Sequence, residues 1–404
     1  MPTHAVLLGS LVALALASSQ DASPIAPASA PPPTPAATGT KRVEGTSSWK
    51  EIDAAAIGPI RPLLVDRPEL RVAAGAHVAV DPVAVGQPGA IVTLSSAPYC
   101  AFLSFRAGRV ELRSIQRSNR VVSEPMTVFA LRTPPVMFDE GPDGKSVLFR
   151  ADLDSPILLV DVPTGAIRTT LDSTTAGPGK VMVLDERSFA VISPSGSLRR
   201  FSGSDGALLG ETQLPPSFPI AAGRGHVVGQ MHMDPPTASG TPLERRMIVA
   251  SFDAVTGKES GRADLPAGPV AWSLNSGTIC VGEVTTGWSA IRTLDIVTME
   301  ERPRVLLSPN VSSLRLEMSA DGRFLYFQEY IAQPIIAWEV ATGTAKAVFG
   351  PELGGFLRFD VSNDGKTLGG IVGPWVKGTL SPDAFEWTDL ESVPQLKAPA
   401  DATR

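Results

Sequence analysis

The sequence predicts an all-β chain built of stacked repeats, and three observations carry that prediction. Gly141 to Phe149 reads GPDGKSVLF, and Ser319 to Phe327 reads SADGRFLYF. In both copies an acidic residue follows the turn aspartate by 18 positions, Asp161 after Asp143 and Glu339 after Asp321, and Gly165 and Gly343 close the units four positions later. Between the turns, segments such as Val147 to Phe149 and Ile157 to Val160 are runs of Val, Leu, Ile and Phe with no long stretch of period 3.6, so helix should be scarce. Units of this kind cannot bury their apolar faces singly and stack to do so.

The template is a turn, a short apolar strand, a loop, a second strand ending in an acidic residue, then Thr-Gly and a third strand. Asn363-Asp364-Gly365 and Asn275-Ser276-Gly277 repeat its opening. Phe252-Asp253-Ala254-Val255-Thr256-Gly257, Leu294-Asp295-Ile296-Val297-Thr298-Met299 and Phe201-Ser202-Gly203-Ser204-Asp205-Gly206 repeat its close. Units then fall near 90–127, 135–171, 179–214, 219–265, 269–307, 313–349 and 355–392. Their spacing fits the roughly 40 to 45 residues of a four-stranded propeller blade. The expected fold is a seven-bladed β-propeller of four-stranded antiparallel blades. In the first unit, Tyr99 to Phe105 and Arg109 to Ile115 read as strands without either turn dipeptide. The last unit has no evident outer strand after Phe385 to Leu390, while His77 to Val85 is unassigned. That early strand is expected to complete the last blade and close the ring, which removes an unpaired edge.

The Asp-Gly-Lys/Arg turns at Asp143, Asp321 and Asp364, with Trp338-Glu339 before Thr342-Gly343, resemble the WD-repeat, YVTN-type and quinoprotein-like β-propellers over about residues 77–392. The resemblance implies the fold. It leaves activity open, because that superfamily hosts scaffolds, binding domains, lactonases and dehydrogenases.

Charged residues make up 19% and hydrophobic ones 43% of the 404 residues, with 37 Gly and 37 Pro, as suits a compact turn-rich β protein. A net charge of −6, with Arg199-Arg200 and Arg245-Arg246 as the densest basic points, argues against a nucleic-acid partner. Ala5 to Ala17 is an apolar run ending Ala15-Leu16-Ala17, too short to span a bilayer and suited to signal-peptidase cleavage. Residues 1–17 are therefore expected to be an export signal. Residues 18–48, rich in Ala and Pro, are expected as a disordered tether and 393–404 as a disordered tail. The product is expected to be periplasmic or extracellular and not membrane-spanning. Cys100 and Cys280 fall in the second strands of the first and fifth units, too far apart for a disulfide, so both are expected as buried thiols.

Four His leave few groups that titrate near neutral pH. His226 and His232 are expected on one face of a strand, with Met231 and Met233 on the other; a soft-metal site and a plain blade strand both fit this pattern. No metal site or cofactor is expected. Asp161, Asp253 and Asp295 recur once per unit, which points to turn capping rather than catalysis. No nucleophile stands near a base, so no catalytic residue is expected. Departures between repeats point instead to the connections between second and third strands, which emerge on one rim. There Trp288, Tyr330 and Trp375 are expected to line the channel mouth for a protein or small ligand; the other reading is that each covers its own blade edge. The expected function is a non-enzymatic exported binding platform. The alternative, a periplasmic lactonase-like hydrolase or quinoprotein-like dehydrogenase, rests on the resemblance alone.

Overall fold

The computed structural model describes residues 68–72, 76–79, 91–93, 99–106, 109–116, 121–122 and 127–129. It also describes 137–397 apart from 152–153, 234–245, 267, 275, 285–288, 308–313, 320, 330–332, 351–354, 374, 377–378 and 381–383. The expected export signal and tether lie outside the described residues, as does the long connection at 234–245.

Local turn chemistry sets the strand ends. The Asp143 carboxylate accepts the backbone N–H of Lys145 and Ser146, each at 3.0 Å, while Gly144 takes a φ of 65°. Asp321 and Asp364 repeat this contact with the N–H of Arg323 and Lys366, at 2.9 and 3.0 Å. At the closing turns Asp161, Asp253 and Asp295 accept from the N–H of Thr164, Thr256 and Thr298, at 3.2, 2.7 and 3.0 Å. These carboxylates hold turns, as expected. Gly165 and Gly257 complete two of them at φ near 70°; Met299 stands in the same left-handed position at 60°, a conformation that costs a side chain about 1 kcal/mol.

Between these turns the strands pair into the four-stranded antiparallel blades of a β-propeller. Six blades are regular meanders, spanning 137–171, 180–213, 218–266, 270–307, 315–349 and 355–389. The last takes its fourth strand from Ala76–Ala79, with Ala76 opposite Trp387 and Ala79 opposite Ala384. The unit expected at 90–127 departs from the regular pattern. Its outer edge is split between Val121–Val122, paired with Ile115 and Gln116, and Thr127–Phe129, paired with Val110 to Leu112. The seven regular blades expected are therefore six, plus this irregular sheet. It lacks the Asp-Gly and Thr-Gly devices of the other units, and its regular pairing is the long hairpin of Tyr99–Arg106 with Arg109–Gln116. Helix is scarce as expected, Ser173–Ala176 being the α-helix among the described residues.

The chain before and after the blades is tied down together. Arg71–Val72 adds a parallel strand against Val348 and Phe349, on the outer edge of the 315–349 blade. Residues 393–397, expected as the start of a tail, form a 3-10 turn at Pro394–Leu396 whose flanking Val393 and Leu396 are buried. Both are apolar, and the seam between the last two blades covers them. Gln395 Nε2 donates to the Glu69 carbonyl at 2.9 Å, joining the two ends.

The core lies between blades rather than within them. One cluster joins Leu148 and Leu159 to Val181 and Phe189, a second joins Ala190 and Leu198 to Val227 and Phe252, and a third joins Val228 and Val249 to Ile279 and Leu294. Cys280 and Ile291 then meet Leu325 and Trp338, and Tyr326 and Ile335 meet Phe356 and Phe359. Arg150 is fully buried at the first of these seams. Its guanidinium donates to the carbonyls of Ser155, Gly177 and Gly179 at 3.0, 2.7 and 2.8 Å, which offsets the cost of burying the charge. The Cys280 thiol is free, and burial pushes it up to about 12. Cys100 occupies the second strand of its sheet, as does Cys280, but its side chain lies outside the described residues.

Deleting residues 68–79 should expose the edge of Ala384–Asp389 and broaden thermal unfolding while lowering its midpoint. A truncated protein that melts as sharply and as high as the full chain would contradict this role for the early strands.

Candidate functional site

In some blades the inner strand alternates between buried and half-buried residues. The strand Arg315–Met318 shows it plainly: Leu316 and Met318 are buried, Arg315 and Glu317 half-buried. In Gly355–Val361, Phe359 and Val361 are buried while Arg358 and Asp360 are half-buried. Asp139 and Lys180 are half-buried on the inner strands Met137–Glu140 and Lys180–Asp185.

These groups interact across blades. Asp139 attracts Lys180, whose Nζ donates to the Pro219 carbonyl at 3.1 Å and lies 5.6 Å from the centre of the Phe218 ring. Arg315 faces Arg358, and the repulsion of that second guanidinium outweighs the attraction of Glu317. Asp139 and Glu317 also repel each other. Their blades are not neighbours, since the blade of Glu317 packs against 270–307 on one side and 355–389 on the other. Carboxylates on two blades that are not neighbours therefore lie close enough to interact.

Burial removes water from these groups, and the cost falls on their charged forms. Burial, and then Asp139, push the Glu317 carboxyl up to about 8, against the pull of Arg358 and Arg315. Burial likewise raises Asp139 to about 6, although its Oδ1 accepts the Glu140 N–H at 2.8 Å. Glu339, at the turn end of its blade, shows the opposite case. Hydrogen bonds from Thr342, Arg323 and Lys346 overcome its burial and hold it at about 2.

The expected site residues fall largely beyond view. Trp288 and Tyr330 lie outside the described residues, and Trp375 is described only in its backbone, as part of the short hairpin Trp375–Val376 with Thr379–Leu380. The strands flanking all three are in place. Val284 pairs with Ser289 beside residue 288, Arg315 pairs with Gln328 just before residue 330, and Gly355 pairs with Gly373 just before Trp375. Arg315 thus sits at the sheet end that carries these connections. His226 and His232 do not share a face, because a bulge between Gln230 and His232 breaks the alternation. About 20 Å of strand separates them. Among the described residues no three of His, Cys, Asp and Glu converge as a metal-binding group.

Sequence reasoning missed the channel charges, although the repeat carried a signal. Asp139, Glu317 and Asp360 each stand four residues before the turn aspartate of their unit, and Arg315 and Arg358 each stand six before it. Scoring polar residues at those inner-strand offsets would have found them.

A second concavity, a cleft of about 510 Å³ at the turn end between the last two blades, is lined in part by Arg323, Tyr326, Lys366 and Glu391. Its charges are paired already: Arg323 with Glu339 at 2.8 Å and Lys366 with Glu391 at 3.1 Å.

No family model matches the chain, and no curated protein matches it. Solved structures do match. A chain of the crystal structure of the mitotic checkpoint complex is 13% identical with a TM-score of 0.52, over 79% of this chain and 92% of that one. Hydrazine synthase of Kuenenia stuttgartiensis is 11% identical with a TM-score of 0.52, over 80% of this chain and 99% of that one. At such identities the likeness is one of fold.

Glu317→Gln tests the channel electrostatics. The folded protein holds a proton on Glu317 up to about pH 8, whereas the unfolded chain releases it near 4.5, so wild-type stability falls as pH rises between those values. The variant has no proton to lose. It should be more stable than wild type by about 2 kcal/mol at pH 8, a gain that vanishes towards pH 4.5 in denaturant titrations. A gain that is the same at both pH values would refute the assignment.

Proposed function

We propose that this protein is an exported, non-enzymatic β-propeller that binds a protein or small ligand through the connections between second and third strands on one rim. The observation that carries the reading is the extra hairpin of Trp375–Val376 and Thr379–Leu380. It interrupts the last blade at the end where the 285–288 and 330–332 connections also emerge. A blade needs no such hairpin to pack, and insertions at one end of a repeat array serve recognition more often than stability. Aromatic side chains at Trp288, Tyr330 and Trp375 would supply the anchors.

The same reading takes the ring as closed, with the 91–129 sheet as a seventh, irregular blade. Ile91–Thr93 lies against the inner strand Gly355–Val361 on one side and against Met137–Glu140 on the other. The Glu140 carboxylate also accepts the Asn363 N–H at 2.7 Å, tying the blades that flank this sheet. Export rests on the apolar run of residues 5–17. Among the described residues no helix is long and apolar enough to cross a membrane.

Changing Trp288, Tyr330 and Trp375 together to Ala should cut retention of the binding partner by about tenfold or more in a pull-down from extracts of the source cells, with the melting temperature held. Equal retention by the triple variant and wild type would refute the rim site.

A further inference from the structure

We infer that Arg315 and Arg358, side by side at the channel mouth, form an oxyanion site that takes the carboxylate, sulfate or phosphate group of a ligand entering from the rim of the second-to-third connections.

Both arginines occupy the same repeat position, six residues before the turn aspartate, so their side chains leave adjacent inner strands at one level. Like charges at such a distance repel, and at Arg315 the repulsion exceeds what Glu317 returns. Arg315 makes no hydrogen bond or ion pair among the described residues. Its donors are unspent in a place where water is scarce. A guanidinium does not escape this by losing its proton, because arginine stays charged throughout the accessible pH range. A planar fork of N–H donors beside a second one fits a tetrahedral or planar oxyanion, and charge-assisted bonds of this kind are the strong ones. Lys180, first in its own inner strand, adds positive charge to the channel.

The carboxylates lie one step deeper. Asp139, Glu317 and Asp360 share the position four residues before the turn, two residues further along the strand than the arginines. A ligand arriving from the rim therefore meets positive charge first. The described groups facing Glu317 are Arg315 on its own strand, Arg358, Asp139, and Tyr326, which lies opposite in the paired strand with its phenol pushed up by burial. Below about pH 8 the neutral Glu317 carboxyl adds an O–H donor and no competing charge; above that pH the carboxylate repels an anion and draws on Arg315 itself. Oxyanion binding should therefore weaken as pH rises through 8. This site is separate from the rim aromatics, so it stands or falls independently of them.

Titration calorimetry with sulfate and with succinate tests the inference, because both probes keep their charge from about pH 7 upward. Wild type should bind at least one of them, and its affinity should fall about tenfold for each pH unit above 8. Tighter sulfate binding would point to a phosphate-like group, and tighter succinate binding to a carboxylate. Arg315→Gln should weaken binding at least tenfold, with Arg358→Lys intermediate, since lysine keeps the charge but loses the fork. Glu317→Gln should lose the pH dependence above 8. The triple Ala variant of Trp288, Tyr330 and Trp375 should bind both anions as wild type does, whatever its effect on the partner. No binding of either anion by wild type, equal binding by a folded Arg315→Gln protein, or a wild-type affinity that is flat or rises above pH 8 would overturn it.

Discussion

Central strands of the regular blades are apolar on both faces, and the architecture follows from what must cover the second face. The strands Ser146–Arg150, Ser188–Ile192, Phe324–Gln328, Ile335–Glu339 and Thr367–Gly373 are buried at every position. A lone blade would leave one such face in water, at roughly 25 cal/mol for each Å² exposed. Side-by-side stacking supplies the cover, and each hydrophobic cluster accordingly draws on two consecutive blades. Burial then falls off outward: the outer strands Ile167–Leu171 and Leu208–Gln213 are largely exposed, and no comparable demand acts on them. On the 315–349 blade, Arg71–Val72 covers part of the outer edge.

The same stacking decides where polar chemistry can live. A buried charge is tolerated where polar partners meet it, as three carbonyls do for Arg150 and as Glu301 does for Arg292. At a blade's turn end, charges pair and save one another, so Glu339 between Arg323 and Lys346 stays ionised. The inner strands offer a third environment. There, charged side chains such as Asp139, Lys180, Arg315 and Glu317 are half-buried. Burial raises both Glu317 and Asp139, and the charge of Asp139 adds to the shift at Glu317. Groups left in that state are those a ligand can satisfy.

The turns and strand ends were legible in the sequence because their causes are local. An aspartate that accepts the N–H two residues on, and a glycine at positive φ, write the same short motif wherever they occur. Copies at Asp143, Asp321 and Asp364 therefore placed six blades to within about two residues of their observed ends, and the unpaired edge of the last blade pointed to the early strand. The 91–129 sheet was legible only as strands, since no turn motif fixes its ends and its outer edge divides in two. The bulge at Gln230–His232 left no mark in the pattern of His and Met, and it undid their shared face. The channel charges escaped notice for another reason. Asp139 and Glu317 are far apart in sequence and acquire meaning only when inner strands from non-adjacent blades are brought around one axis.

Repeat-equivalent residues do the same work at the turns but different work in the channel, and that difference gives the channel a direction. At the level of Arg315 and Arg358, the 218–266 and 270–307 blades place Phe218 and Val270; at the level of Glu317 and Asp360 they place Ile220 and Trp272. Phe218 is 53% exposed although it is a large apolar side chain, and it lies beneath the Lys180 ammonium. The inner strands are thus charged in some blades and apolar in others, where Ile220, Val270 and Trp272 pack against the seam between the two blades. Stability alone gives no reason for this split, since apolar residues at the inner-strand positions would pack a repeat protein as well and would avoid the desolvation cost carried by Glu317 and Asp139. A ligand with an oxyanion at one end and an apolar body beside it would match both kinds of strand at once. The aromatic connections at the rim would then meet whatever part of that ligand remains outside.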